Sequence, residues 1–325
     1  MAKHLTFLLL FLPLVSLSAP VAENPGVPSE FKAVGGHSLG LGSGAMAALP
    51  DLSSVRINPA MIAMQKQYVV SGGYHWPAVG REFYQIGAVD STTGDVAAGV
   101  SYTGFLEDYM ESIVAGDVLD SPLESRMNIG LAKVFGKLSL GISAGLISGF
   151  ALGNDVANEP LRKLKGTTFG FGVAGFFTKW LRAGVSVENL SNKSVSALAP
   201  TTYRAGIAGI FLNGDFTAHV DLVRRYRVEG FEYDIQPRFL PSGSLLLELR
   251  EPAETLVSSF SVRVYDLLRV IGSVGDSLDG FGDRSGSLGL ALVQRLFSIS
   301  YNLSRTNLQE AAVDSNANLN VNVSF

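Results

Sequence analysis

The stretch Lys137-Leu-Ser-Leu-Gly-Ile-Ser-Ala-Gly-Leu-Ile-Ser-Gly-Phe150 decides the fold. From Leu138 to Gly153 it carries no charge, which makes it the natural candidate for a membrane helix. Its glycines, Gly141, Gly145, Gly149 and Gly153, argue against one, because each interior glycine costs a helix roughly 1 kcal/mol relative to alanine. A period of two fits instead. Leu138, Leu140, Ile142 and Ala144 fall on one face, opposite Ser139, Gly141, Ser143 and Gly145. Strand side chains point alternately to the two faces of a sheet, so the segment reads as a two-faced strand.

The same alternation recurs from about residue 67 to the end of the chain. Leu181, Ala183, Val185 and Val187 oppose Arg182, Gly184, Ser186 and Glu188. Phe216, Ala218, Val220 and Leu222 oppose Asp215, Thr217, His219 and Asp221. Phe260, Val262 and Val264 oppose Ser259, Ser261 and Arg263, and Phe297, Ile299, Tyr301 and Leu303 oppose Ser298, Ser300 and Asn302. The second face is mostly Gly, Ser, Ala and Asn with an occasional charge. A soluble sandwich facing bulk water carries more charge there, whereas the lumen of a membrane barrel suits this composition. Strands in hydrocarbon must close on themselves to satisfy their backbone groups. The fold class is therefore all-β, a closed antiparallel transmembrane barrel.

Composition supports this reading. Hydrophobic residues make up 47 % of the 325, and charged residues only 17 %, against about 25 % in soluble domains. Glycine, at 36 residues, is also in excess. High hydrophobicity excludes a disordered chain. A net charge of −4 gives no basic footprint, so nucleic acid is not an expected partner. Without cysteine there is no disulfide, zinc–thiolate site or lipidated N-terminal cysteine, and no cofactor or metal is expected.

The chain divides into three. Lys3 and His4 precede an apolar run from Leu5 to Leu17, with Ser16 and Ser18 placed for cleavage after Ser18. Residues 1–18 thus read as a secretory signal peptide. Residues 19–66 do not alternate, and residues 67–325 form the barrel. Fourteen strands are expected, near 67–76, 82–90, 95–105, 125–135, 138–149, 167–178, 181–190, 202–211, 214–224, 256–265, 268–275, 284–293, 295–303 and 316–325. With both barrel ends periplasmic, tight turns should alternate with longer outer connections, and they largely do, 77–81 being short for the outer side. A hairpin of Phe231–Gln236 with Leu245–Arg250 inside the 225–255 excursion would raise the count to sixteen. Tyr68, Trp76, Tyr84, Tyr102, Phe150, Trp180, Tyr203 and Tyr265 lie near strand ends, where interfacial girdles belong.

Residues 35–64 run from a glycine-rich stretch into a short apolar helix. Asn58 is a good N-cap, Pro59 is favoured at the first helical position, and Ala60–Met64 are helix-compatible. Gly42, Gly44, Ala45–Ala48, Ser53, Ser54, and Asn58-Pro59-Ala60 just before the first strand resemble the N-terminal plug, or hatch, of the FadL family. Members of that family are outer-membrane channels for long-chain fatty acids and other hydrophobic compounds. The segment is similar also to PorV-type relatives, which share the barrel but serve in secretion. At the other end Leu319, Val321, Val323 and Phe325 alternate with Asn318, Asn320, Asn322 and Ser324, and this resembles the terminal-strand signal read by the barrel-assembly machinery.

The resemblance implies a fourteen-stranded barrel in the bacterial outer membrane, with the hatch folded into the lumen. It implies passive uptake of a hydrophobic small molecule such as a long-chain fatty acid, with exit sideways through a strand break. The alternative is a barrel that transports nothing and docks in a secretion or envelope complex. The expected surroundings are outer-membrane lipid and lipopolysaccharide, and the expected assembly is a monomer. This chain is shorter than family members, with smaller outer loops.

Four further features bear on function. Phe105, Leu106, Tyr109, Met110, Ile113 and Val114 recur at helical spacing opposite Glu107, Asp108 and Glu111. They read as a substrate-capture loop or as a helix packed on the barrel rim. Gly170-Phe-Gly-Val-Ala-Gly175 matches a dinucleotide-binding pattern, but Phe176, Phe177 and Trp180 follow it and no βαβ unit surrounds it. Within a strand its glycines mark a kink or the close approach of the hatch. His219 and Asp221 share a lumen face, as a hydrolase pair would, yet no serine nucleophile can be assigned, and no enzyme is expected. The basic residues Arg162, Lys163, Lys165, Arg224, Arg225 and Arg227 fall at outer rims, facing lipopolysaccharide phosphates or balancing nearby acids.

Overall fold

The computed structural model describes residues 52–64, 66–77, 82–106, 123–152, 161–191, 199, 201–226, 238–239, 245–246, 254–265, 267–278, 284–294, 296–308 and 312–324. A helical turn, α1 (Ser54–Ile57), and a 3-10 turn (Pro59–Ala63) precede the first strand. The strands of the first half are β1 (Tyr68–Pro77), β2 (Phe83–Asp90), β3 (Val96–Phe105), β4 (Leu123–Phe135), β5 (Leu138–Leu152), β6 (Leu161–Phe176), β7 (Leu181–Ser191) and β8 (Thr201–Phe211). Then come β9 (Phe216–Tyr226), the two-residue β10 (Arg238–Phe239) and β11 (Leu245–Leu246), β12 (Glu254–Tyr265), β13 (Leu268–Ser277), β14 (Arg284–Val293), β15 (Phe297–Leu308) and β16 (Ala312–Ser324). No described helix is long and apolar enough to cross a membrane.

Fourteen strands close into one antiparallel barrel, each paired with the barrel strand before and after it in the chain and β1 with β16. Closure is made by β1 and β16, from Val69 opposite Ser324 to Pro77 opposite Asn316. Strand β9 pairs directly with β12, Leu222 opposite Leu256 and His219 opposite Ser259. The intervening excursion carries β10 and β11, which pair only with each other. The barrel therefore has fourteen strands and not sixteen.

Both termini of the barrel sheet lie at the end closed by tight connections, of which 136–137 and 266–267 are the shortest, the former using Gly136 at φ 63°. At the other end β5 and β6 are longer than the sequence suggests, 15 and 16 residues. About 9–11 residues suffice to cross a bilayer, so this hairpin projects beyond it. Strands β15 and β16 extend likewise, which reduces the expected 304–315 loop to residues 309–311.

The faces follow the alternation. Leu138, Leu140, Ile142 and Leu146 of β5 are exposed, while Ser139 is fully buried. Leu288, Leu290 and Leu292 of β14 and Ile299, Tyr301 and Leu303 of β15 continue the exposed belt. Such a belt is the lipid-facing surface of a transmembrane barrel. Trp76, Tyr84, Tyr102 and Tyr203 sit at the long-loop end of their strands, and Tyr68, Trp180 and Tyr265 at the tight-turn end. Ring contacts tie these girdles together, Tyr84 to Tyr102 at 6.0 Å and Trp180 to Phe211 at 6.4 Å. The Phe150 side chain lies outside the described residues.

Three ladders change register, between Leu123 and Ser125 against β5, Phe169 and Phe171 against β7, and Arg263 and Tyr265 against β13. The ladders joining β1, β2, β3 and β4 run without a shift.

Candidate functional site in the hatch-bearing lumen

Residues 52–63 lie buried inside the barrel, against β3 to β7. The local fold follows from Asn58 and Pro59. Asn58 Oδ1 accepts from the Ala60 amide at 3.2 Å, and Pro59 occupies the first position of the 3-10 turn. Asn58 has extended backbone, so it ends α1 while capping the next turn. The apolar helix expected after Asn58 is present, wound as 3-10; the α-helical turn before it was not foreseen.

The barrel wall under this segment carries glycine where the hatch comes closest. A Cβ at Gly99 would stand 2.6 Å from Val55 Cγ2, and one at Gly130 would stand 2.8 Å from Ile62 Cδ1. At Gly141 it would overlap the Pro59–Ala60 backbone, and at Gly172 it would overlap the Asn58 carboxamide. Gly172 belongs to the Gly170–Gly175 run, so those glycines serve close approach of the hatch. Leu52, Val55, Ile62 and Ala63 pack with Val89, Ala97 and Ala132 of the wall. Hydroxyls fix the backbone: Ser186 Oγ donates to the Ile57 carbonyl at 2.5 Å, and Ser139 Oγ to that of Ala60 at 2.7 Å. Asn58 Nδ2 donates to the Val173 carbonyl at 3.4 Å.

A charge cluster ties the hatch to the wall on the side of the long loops. Glu188 Oε1 lies 3.0 Å from Arg56 Nε and 3.2 Å from Arg126 Nη2, and Glu188 Oε2 meets Arg204 Nη1. The register shift opposite Phe169 and Phe171 falls here, and Asn189 adopts φ 60°. A bulge re-aims side chains, and this one buries both Glu188 and Asn189 although they are consecutive. Asn189 Oδ1 accepts from Arg126 Nη2 at 2.7 Å. The sequence reading missed Arg56, Arg126 and Arg204. Their signal was available for the two strand arginines, which stand at inward parity among small polar residues.

Apolar side chains gather beyond this cluster, toward the long loops. Phe83 is buried, stacked on His75 with ring centroids 4.2 Å apart, and lies 5.4 Å from the Phe105 ring. Leu123, Ile147 and Ala199 form a neighbouring group against Phe105 and Leu164. Phe105 closes β3 and Leu106 is an exposed bend residue, so neither belongs to the expected loop helix. Their partners in that reading, Tyr109, Met110, Ile113 and Val114, lie outside the described residues, as do Gly42, Gly44 and Phe325. The opposite wall is polar, lined by Ser259, Ser273, Ser300, Asn302, Asn318 and Asn320, all buried.

The remaining candidates find structural roles. His219 Nε2 is 2.5 Å from Ser259 Oγ, and Asp221 Oδ2 is 3.7 Å from the same nitrogen. A hydrolytic triad needs its carboxylate on the other ring nitrogen. Lys163 pairs with Glu124 at 2.8 Å, and Arg224 stands opposite Glu254 in the ladder, so these basic residues have acids beside them. The side chains of Arg162 and Arg225, and all of Arg227, lie outside the described residues.

A lipid-belted closed barrel with a helical segment seated in its lumen defines a plugged transmembrane β-barrel. Its fold is the fourteen-strand FadL type, shared with solved channels of very different sequence. The chain is similar to the CymD monoaromatic hydrocarbon channel at 15 % identity over 90 % of this chain and 97 % of that one, with a TM-score of 0.58. It is similar also to the Pseudomonas putida toluene transporter TodX at 12 % identity, over 94 % and 99 % of the two chains, with a TM-score of 0.54. No family model matches the chain, and no curated protein matches it in sequence.

Proposed function

We propose that the protein is an outer-membrane channel for passive passage of hydrophobic small molecules, with the hatch as its internal barrier. The observation that carries this reading is the seating of residues 52–63 on a glycine-lined wall, below an apolar group of Phe83, Phe105, Leu123 and Ile147. A lumen built only for small polar solutes has no use for buried aromatic and aliphatic side chains near its mouth. Similarity of fold to a monoaromatic hydrocarbon channel and a toluene transporter supports the same class of cargo.

In this reading residues 1–18 are the export signal, cleaved after Ser18, and residues 19–66 are the hatch. Phe105–Val114 collects cargo at the outer face, Phe325 is the mark read by the assembly machinery, and the rim faces lipopolysaccharide. The cargo is a monoaromatic hydrocarbon or a long-chain fatty acid, and one experiment separates them. Proteoliposomes containing the full mature chain are given labelled toluene or labelled oleate, and entrapped label is compared with that of empty liposomes. Uptake of either names the cargo class. Uptake of neither, with the barrel folded, refutes the channel and favours the docking role in secretion or envelope assembly.

A further inference from the structure

Three guanidiniums converge on one carboxylate inside the barrel, and only one of the four side chains belongs to the hatch. Arg126 and Arg204 are held by strands β4 and β8, Glu188 by the bulge in β7, and Arg56 by the hatch turn α1. All four side chains are no more than 8 % exposed. Arg126 is fixed further by Asn128, whose Oδ1 accepts from Nε at 3.0 Å, and by Asn189. Neutral ties between hatch and wall include the Ser186 and Ser139 hydroxyl bonds, the Asn58 Nδ2 bond to the Val173 carbonyl and the packing on the glycines.

From this arrangement we infer that Glu188 is the positioning residue that latches the hatch, by holding Arg56 among like charges that would otherwise expel it. Charges out of water interact strongly, and removing one partner of a buried pair leaves the others uncompensated. Without the Glu188 carboxylate, Arg56 faces Arg126 and Arg204 without the acid that meets all three. The two wall arginines are anchored in a closed sheet. The hatch is not part of that sheet, so it is the element that yields. The β7 bulge has a purpose here: it turns Asn189 inward beside Glu188, so that Arg126 is held by two neighbouring residues and leaves Glu188 Oε1 shared with Arg56. Seating of the hatch needs only this geometry, while any effect on passage rests on the channel reading above.

Hydrogen exchange of the amides of residues 54–63 reads local opening of the hatch and leaves every tie to the wall in place. Glu188→Gln should raise their exchange on the order of a hundredfold or more, the change that loss of a buried pair implies. Glu188→Arg should raise it more. Combining Arg56→Glu with Glu188→Arg restores one acid among three guanidiniums and should bring exchange back to that of the parent. Heat-modifiable mobility in SDS gels reports that the barrel itself is folded. If a Glu188 variant does not fold, Arg56→Gln, which alters only the hatch, should raise exchange in its place.

Unchanged exchange in a folded Glu188→Gln or Arg56→Gln protein overturns the latch, as does failure of the charge swap to rescue. Planar-bilayer conductance, run on the same proteins, separates the two claims. Faster exchange with raised conductance supports both latch and barrier. Faster exchange with conductance unchanged leaves the latch standing and refutes the hatch as the barrier to passage.

Discussion

Asn58 and Gly172 are matched where the hatch meets the wall: the carboxamide that caps the hatch turn occupies the space where a side chain at position 172 would stand. Gly141 makes a harder version of the same contact, because a Cβ there would meet the Pro59–Ala60 backbone. The difference between a side chain that can rotate and a backbone that cannot sets the first prediction. Gly172→Ala should displace Asn58 and loosen the hatch by about 1 kcal/mol, the worth of an N-cap. Gly141→Ala should cost more, about 1–3 kcal/mol, as overpacking does. Hydrogen exchange of the amides of residues 54–63, which reads local opening, should rise in both and further in Gly141→Ala. Equal exchange in the two variants would show that the backbone contact is no tighter than the side-chain one.

Ser139 and Ser186 hold the hatch backbone from two strands. Removing either hydroxyl leaves a buried carbonyl, Ala60 or Ile57, without that donor, at a cost of about 1–3 kcal/mol. Both act on one segment, so Ser139→Ala and Ser186→Ala together should cost less than their sum once the hatch has opened. The same exchange measurement checks this. Strict additivity would mean that the two ends of the hatch move independently.

The parts of the fold that depend on period and parity were legible in the sequence. Leu138 to Ile142, Phe216 to Leu222 and Phe297 to Leu303 alternate without interruption, and each became a strand with the expected outward face. Asn58 and Pro59 announced a helix start because capping chemistry is local. Failures occurred where parity breaks or where tertiary contact decides. The bulge at Glu188 and Asn189 turns two consecutive residues inward, which no alternation rule anticipates. Arg56 becomes informative only when strands distant in sequence bring Arg126, Glu188 and Arg204 to it. Phe105 fits a helical repeat in sequence, yet its ladder partner Phe83 keeps it in β3.

Lipid exposure predicts a depth-dependent penalty along β5. Ile142 is 57 % exposed in the middle of the apolar belt, and Leu138 stands at the tight turn. Ile142→Arg should destabilise the barrel by about 2–4 kcal/mol, and Leu138→Arg by about 0–1 kcal/mol. Equilibrium unfolding in lipid vesicles, followed by tryptophan fluorescence, measures both. Equal penalties would contradict the placement of Ile142 near the bilayer midplane.

Ser259, His219 and Asp221 carry the side chains of a hydrolase but not its geometry. Ser259 Oγ and Asp221 Oδ2 approach the same imidazole nitrogen, Nε2, at 2.5 and 3.7 Å. Among the described residues His219 Nδ1 is buried and has no hydrogen-bond partner. In a working triad the carboxylate holds Nδ1, which fixes the tautomer and leaves Nε2 free to take the serine proton. Here the carboxylate stands on the side where that proton would arrive, and no described residue orients the ring through Nδ1. The serine should therefore show no enhanced nucleophilicity. A fluorophosphonate probe, which marks activated serines, should leave the folded barrel unlabelled. Labelling that disappears in Ser259→Ala would show instead that the ring turns over in the membrane and that Asp221 then backs a catalytic histidine.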